Sequence, residues 1–221
     1  MIGMGMSLTR SPDAGMWWPA AATWAADFIG DRYMRAGSPV PRTSALSFAR
    51  AGTKFARRAD GRLVSFEADV PARTDLGLLL EPAATNLFTA SADQTDTSWV
   101  RNGCSATSGH PDPTGNVAAT FIVEHDGGAL LRRHTDLAVT VGQTYTVSCY
   151  VARTSVDWFR LIIGDGSSFS NAAHAWFNLA AATQGSSGSG GSGYGYVTHG
   201  CRAEGQFLNL SMTVIAPANN L

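Results

Sequence analysis

The sequence predicts a mainly β protein: an N-terminal segment with one short helix, followed by an antiparallel β-sandwich. Three observations predict it. Charged residues make up only 15% of the chain, below the roughly 25% of an average soluble domain, and Gly, Ser, Thr and Ala fill the difference. Aspartates number 13 against four glutamates; aspartate favours turns and glutamate favours helices, so the bias points to strands and loops. The third observation is a series of short alternating or apolar segments at sandwich-like spacing, separated by turn residues.

Residues 1–45 form the first region. Gly3, Gly5, Pro12, Gly15 and Pro19 punctuate an apolar stretch that contains Met16, Trp17 and Trp18. A helix is expected from Thr23, a suitable cap, with Trp24, Phe28 and Met34 near one face and Gly37 and Pro39 as the stop. Met16, Trp17, Trp18 and Trp24 are too much apolar surface to leave in water. They are expected to anchor the chain on a partner or to pack back on their own domain.

Residues 46–90 form the second region, built from strands. LSFARAG is expected to be one, Asp60-Gly61 a hairpin turn and RLVSFEADV its partner. LGLLLEPAATNLF, closed by Pro82, is expected to be a strand buried on both faces. Residues 91–221 form the third region, with strands at 117–124, 144–152, 157–164, 173–179 and 205–215 and a turn at Val141-Gly142-Gln143. The tract SSGSGGSGYGY, 186–196, reads as a flexible loop or as a spacer presenting Tyr194 and Tyr196.

Alternation sorts the faces. Tyr145, Val147, Cys149 and Val151 point inward, as do Phe159, Leu161 and Ile163, and Leu208, Leu210, Met212 and Val214. If those strands share a sheet, its open face carries Tyr150, Trp158, Arg160, Asn209 and Ser211. A sugar ring presents apolar C–H faces and hydroxyl edges, so an aromatic platform with hydrogen-bonding neighbours suits it. Packing against the N-terminal region or a partner subunit would use the same residues.

Other chemistries find less. Net charge is −1 with no basic stripe, which speaks against nucleic acid. No apolar run reaches the ~18 residues of a membrane span, and MIGMGMSLTR lacks the form of a secretory signal. Cys104, Cys149 and Cys201 have no metal-type spacing and read as reduced, small hydrophobes, consistent with assembly in a cytoplasm. His110, His125, His134, His174 and His199 are scattered, with no zinc-like pair. Glu124-His125-Asp126 reads as a solvated turn. No G-x-S-x-G is present, and the carboxylate pairs Glu124/Asp126 and Asp157/Glu204 lack a recognisable hydrolase context. No enzyme activity and no cofactor are expected. A structural calcium ion would find candidate ligands only in Asp165, Asp93 and Asp96.

Two stretches carry a resemblance. Phe48-Ala49-Arg50-Ala51, Asp60-Gly61-Arg62-Leu63, Asp69-Val70-Pro71-Ala72-Arg73, Leu78-Leu79-Leu80-Glu81 and Thr85-Asn86-Leu87 resemble a module of phage tail-fibre, tail-spike and head-fibre proteins. Gly52 stands where the relatives have serine, and Pro82-Ala83-Ala84 replaces a glutamate-alanine-arginine run, which removes a salt-bridge partner. Tyr145 to Val151, with Phe177-Asn178-Leu179, is similar to strands of carbohydrate-binding jelly rolls attached to such proteins. The resemblance implies a virion protein on the particle surface, with other virion proteins as partners, a homo-oligomeric state and a host surface polysaccharide as ligand. An assembly adaptor with no glycan binding is the alternative, and a glycan-degrading spike enzyme a more distant one. Such jelly rolls continue beyond the equivalent of 205–215, so another copy or protein is expected to complete the sandwich by strand addition.

Overall fold

The computed structural model describes residues 16–82, 84–88, 90–125, 130–133, 138–164, 171–191 and 193–217. The class is mainly β, with antiparallel sheets and one short helix among the described residues. The chain divides into two compact units, one of residues 16–59 and 64–81, the other of residues 60–63 and 82–217.

The first unit opens with a three-stranded sheet of β1 (Trp24–Asp27), β2 (Arg32–Arg35) and β3 (Ser38–Val40). The helix expected from Thr23 is therefore replaced by strands, and the helix α1 lies at Arg42–Ala45. The reason is turn chemistry inside the supposed helix. Asp27 accepts hydrogen bonds from the backbone N–H groups of Ile29 and Gly30 at 3.2 and 2.8 Å, and Asp31 takes a left-handed φ of 53°. Those contacts close a hairpin, which a helical reading of the apolar spacing overlooks. The Gly30 N–H and the Arg32 guanidinium hold the Asp27 carboxyl below its ordinary value. Tyr33 and Met34 are buried on this sheet, and Trp18 is buried with Trp17 packed edge-on against it at 5.3 Å. The Arg32 guanidinium lies 5.1 Å from the Trp17 ring. Of the expected anchor residues, Trp17 and Trp18 thus pack within their own unit, whereas Met16 and Trp24 are each 47% exposed.

The remaining strands of this unit are β4 (Lys54–Arg57), β5 (Leu63–Phe66), β6 (Arg73–Thr74) and β7 (Gly77–Leu78), paired β4–β5 and β6–β7. The Asp60-Gly61 turn joins β4 to β5 as expected. LSFARAG is not a strand; Arg50 instead organises it. Its N–H donates to Asp69, and its guanidinium donates to the carbonyls of Gly52, Phe66 and Glu67 at 3.1, 3.0 and 2.6 Å. Gly52, at φ +88°, occupies a conformation that a residue with a side chain would adopt only with strain. Glu81 forms an ion pair with Lys54. Arg50→Ala should cost about 2 kcal/mol through loss of charge-assisted hydrogen bonds to three carbonyls, read as a lower thermal midpoint for this unit. Among the described residues of LGLLLEPAATNLF the strand is Gly77–Leu78, extended by the Leu79 N–H to the Ala72 carbonyl, and Leu80 is 75% exposed; it is not the doubly buried strand expected. An apolar run does not by itself say whether a strand lies in the core or on the surface.

The second unit carries two hairpin-like pairs and a sandwich. β8 (Trp99–Asn102) pairs with β11 (Leu130–Arg133), and β9 (Cys104–His110) with β10 (Ala119–Glu124). One sheet of the sandwich is β12 (Thr144–Val151), β17 (Phe207–Ile215) and β16 (Gly195–Glu204), in that order. The other is β13 (Trp158–Gly164), β14 (Ala172–Asn178) and β15 (Thr183–Ser189). Their inner faces meet in a core of Leu161, Ala173, Ala175, Phe177, Leu179, Leu208, Leu210, Met212 and Val214. Tyr145, Val147, Cys149, Val151, Phe159 and Ile163 pack against it, so every inward residue read from alternation points inward. Each fully buried aliphatic or aromatic side chain here contributes about 1.5–3 kcal/mol.

The Gly/Ser tract is a loop only in its middle: Gly190, Gly191, Gly193 and Tyr194 lie outside the strands, and its two ends are strand. Residues 186–189 lie in β15 and residues 195–196 in β16, while Tyr194 and Tyr196 pack on the core. The Tyr196 hydroxyl lies 2.6 Å from His199 Nδ1. Backbone pairing with β14 supplies what the side chains of this tract lack.

No disulfide joins Cys104, Cys149 and Cys201. Burial pushes the Cys149 thiol from 9.0 up to about 12. A thiol whose folded value is raised stabilises the fold fully below its unfolded value, and the stabilisation is lost as pH rises through the folded one. Thermal stability should therefore fall between about pH 9 and pH 12, and Cys149→Ser should flatten that part of the profile. An unchanged alkaline limb in the variant would assign the loss to other groups.

Candidate functional site

The five residues expected on one open face lie on two. Tyr150, Asn209 and Ser211 are on the outer side of β12–β17–β16, where Tyr150 stands opposite Asn209, and Asn209 opposite Arg202. Trp158 and Arg160 are on β13, in the other sheet. Alternation fixes the face of a strand; it does not say which sheet receives the strand.

The Tyr150 side is polar and partly closed. Thr146 and Thr213 share a hydrogen bond at 2.9 Å, and Ser148 lies opposite Ser211. Glu204 is 2% exposed and forms an ion pair with Arg202. Burial raises the Tyr150 phenol above its ordinary value, and the neighbouring Glu204 carboxylate adds to the rise. The backbone of Gly61 closes over the Glu204-Gly205 turn. This side therefore offers little open aromatic surface.

The opposite side is different. On β13–β14–β15, Phe159, Leu161, Ala173, Ala175 and Phe177 turn to the core, which leaves Trp158, Arg160, Ile162, His174 and Trp176 outward. Trp158 is 51% exposed. Its ring meets Trp176 edge-to-face with centroids 6.4 Å apart. Arg160 pairs in register with Trp176, and its guanidinium sits 4.9 Å from the Trp176 ring. Such a cation–aromatic contact holds a long side chain in place without consuming all its donors.

Glycines on β15 make room for this group. A Cβ at Gly185 would lie 2.8 Å from Trp158 Cζ3 and 3.1 Å from Trp176 Cβ, and one at Gly188 would lie 3.5 Å from His174 Cε1. The Gly/Ser strand thus forms a low floor beside two tryptophans. Trp176 and His174 join the expected Trp158 and Arg160 on this face. The signal was there, because Ala173, Ala175, Phe177 and Leu179 form the inward set of AHAWFNL and leave His174 and Trp176 on the other side.

Other proposed chemistry finds no assembled site among the described residues. Asp157 is held by Arg153 at 2.7 Å, away from the buried Glu204–Arg202 pair in its bonding. Asp93 accepts from Thr95, and Asp96 from Ser98, so each carboxylate closes its own turn. No group of three or more His, Cys, Asp or Glu suited to a metal occurs among the described residues. Asp126, His134, Asp165 and the terminal residues 218–221 lie outside them. No described helix is long and apolar enough to cross a membrane. No protein-family model matches the chain, and no curated protein matches it.

Proposed function

We propose that the chain is a non-enzymatic component of a tailed phage or phage-like particle that touches a host surface glycan through the outer face of β13–β14–β15. The observation that carries the reading is the pair Trp158 and Trp176 beside a glycine floor, with Arg160 stacked on the second ring. A flat, half-exposed indole matches the C–H face of a pyranose, and guanidinium donors match its hydroxyl edges. The glycan role moves from Tyr150, Asn209 and Ser211 to Trp158, Arg160 and Trp176.

The particle role is supported by the first unit. Met16, Trp24, Ile29, Phe55, Leu76 and Leu80 are each 46–75% exposed, more apolar surface than a small free-standing unit ordinarily leaves in water. Docking on other virion proteins, in a homo-oligomer, would cover it, and a ring of such subunits gives weak single sites useful avidity. The same exposed surface favours a second reading, an assembly adaptor with no glycan binding.

One comparison separates the two. Particles carrying Trp158→Ala or Trp176→Ala should contain normal amounts of the protein and adsorb poorly to host cells. Normal adsorption by both variants would overturn the glycan role, and loss of the protein from the particle would favour the adaptor.

A further inference from the structure

The chemical balance of the Trp158–Trp176 face says more about its ligand than that it is a sugar. Residues 158–164, 172–178 and 183–189, the three strands of the sheet, contain no aspartate or glutamate. Hydrogen-bond acceptors on the outward side are correspondingly scarce. The amide oxygen of Asn178 already accepts the Ala181 N–H at 2.9 Å, and the β15 floor offers glycines and small hydroxyls. Donors are plentiful. Arg160 alone carries five N–H groups, is exposed, and has no salt bridge among the described residues. The nearest acidic side chain in sequence, Asp157, is taken up by Arg153. His174 stands on the same side as Arg160, opposite Ile162 in register.

A neutral sugar offers hydroxyls that both donate and accept, and sites for it do best with acceptors and donors together. A face rich in donors and poor in acceptors suits a ligand that brings its own. A carboxylate is such a ligand group, and a planar guanidinium grips it with two parallel hydrogen bonds. Contact with Trp176 holds that guanidinium beside the two rings, 4.9 Å from the Trp176 centroid. We propose that the β13–β14–β15 face recognises an acidic polysaccharide, with the uronate carboxylate held by Arg160 and the adjoining sugar faces stacked on Trp158 and Trp176. This inference rests on the glycan reading above and adds the class of sugar to it.

The test uses the full chain and a panel of uronic-acid oligosaccharides. Each is paired with the same oligomer after its carboxylates have been reduced to alcohols, and binding is measured by calorimetry or on an array. At least one acidic oligomer should bind roughly tenfold or more tightly than its reduced counterpart, the scale of one bidentate charge-assisted contact, and the difference should shrink as salt is raised. Arg160→Gln should remove the preference and leave weak, equal binding of both forms, while Trp158→Ala should weaken both together. Equal binding of acidic and reduced forms by the natural chain, or a preference that survives in Arg160→Gln, would overturn the acidic assignment and leave the glycan reading standing. Binding of neither form across the panel would overturn both.

Discussion

Phe177→Ala is expected to cost about 3–5 kcal/mol, the range for removing a large aromatic side chain from a packed core. Phe177 is fully buried near the C-terminal end of β14, and its ring meets His199 edge-on at 5.5 Å. Leu210, Met212 and Val214 line the same core and are held on a paired strand, so the space left behind cannot close easily. The loss should be visible as a lower midpoint in denaturant with little change in slope. It should also reach the outer face. Trp176 neighbours Phe177 on the same strand and points the other way, so a loosened β14 weakens the platform without touching it. Phe177→Leu, which keeps most of the volume, should lose far less stability. An alanine variant as stable as the natural chain would contradict the placement of Phe177 in the core.

Gly61→Ala should cost at least about 2 kcal/mol, from two causes that act together. Gly61 has φ +86°, where a side chain costs about 1–2 kcal/mol. A Cβ there would also lie 2.7 Å from the backbone nitrogen of Gly205 and 3.2 Å from the Glu204 carbonyl carbon; main-chain atoms cannot rotate out of the way as a side chain can. Gly52→Ala provides the control, since Gly52 has φ +88° with nothing within 4 Å of the added carbon. The difference between the two variants in thermal or chemical unfolding measures the steric part alone. Equal losses would mean that the Gly61–Gly205 approach has no energetic weight.

The parts of this molecule legible in the sequence are those governed by a strict two-residue period. Tyr145 to Val151, Phe159 to Ile163 and Leu208 to Val214 reveal their inward faces by alternation alone, and the Asp60-Gly61 turn by its chemistry. Which strands become neighbours is not written in that period. β12 pairs with the last described strand, β17, across more than fifty intervening residues, and β13 goes to the other sheet, so Tyr150 and Trp158 part company. Thr23 to Met34 misleads because tryptophan, phenylalanine and methionine fall near helical spacing, while Asp27, Gly30 and Asp31 quietly specify a hairpin. The Gly/Ser tract misleads in the opposite way: its composition has no strand preference, and only the partner strand β14 gives it one.

On the proposed glycan reading, a floor made of main chain has a consequence for how such a protein can change. Glycine at 185 tolerates no larger side chain without displacing the Trp158 indole that lies against it. On that reading, variation that redirects recognition falls at positions 158, 160, 174 and 176, on the two strands beside the floor. Substitutions there alter what is recognised while the inward residues of the same strands keep the core. A lineage under pressure to follow a shifting receptor could diversify those positions and hold β15 almost constant, and the pattern of drift among descendants would record which surface had been under selection.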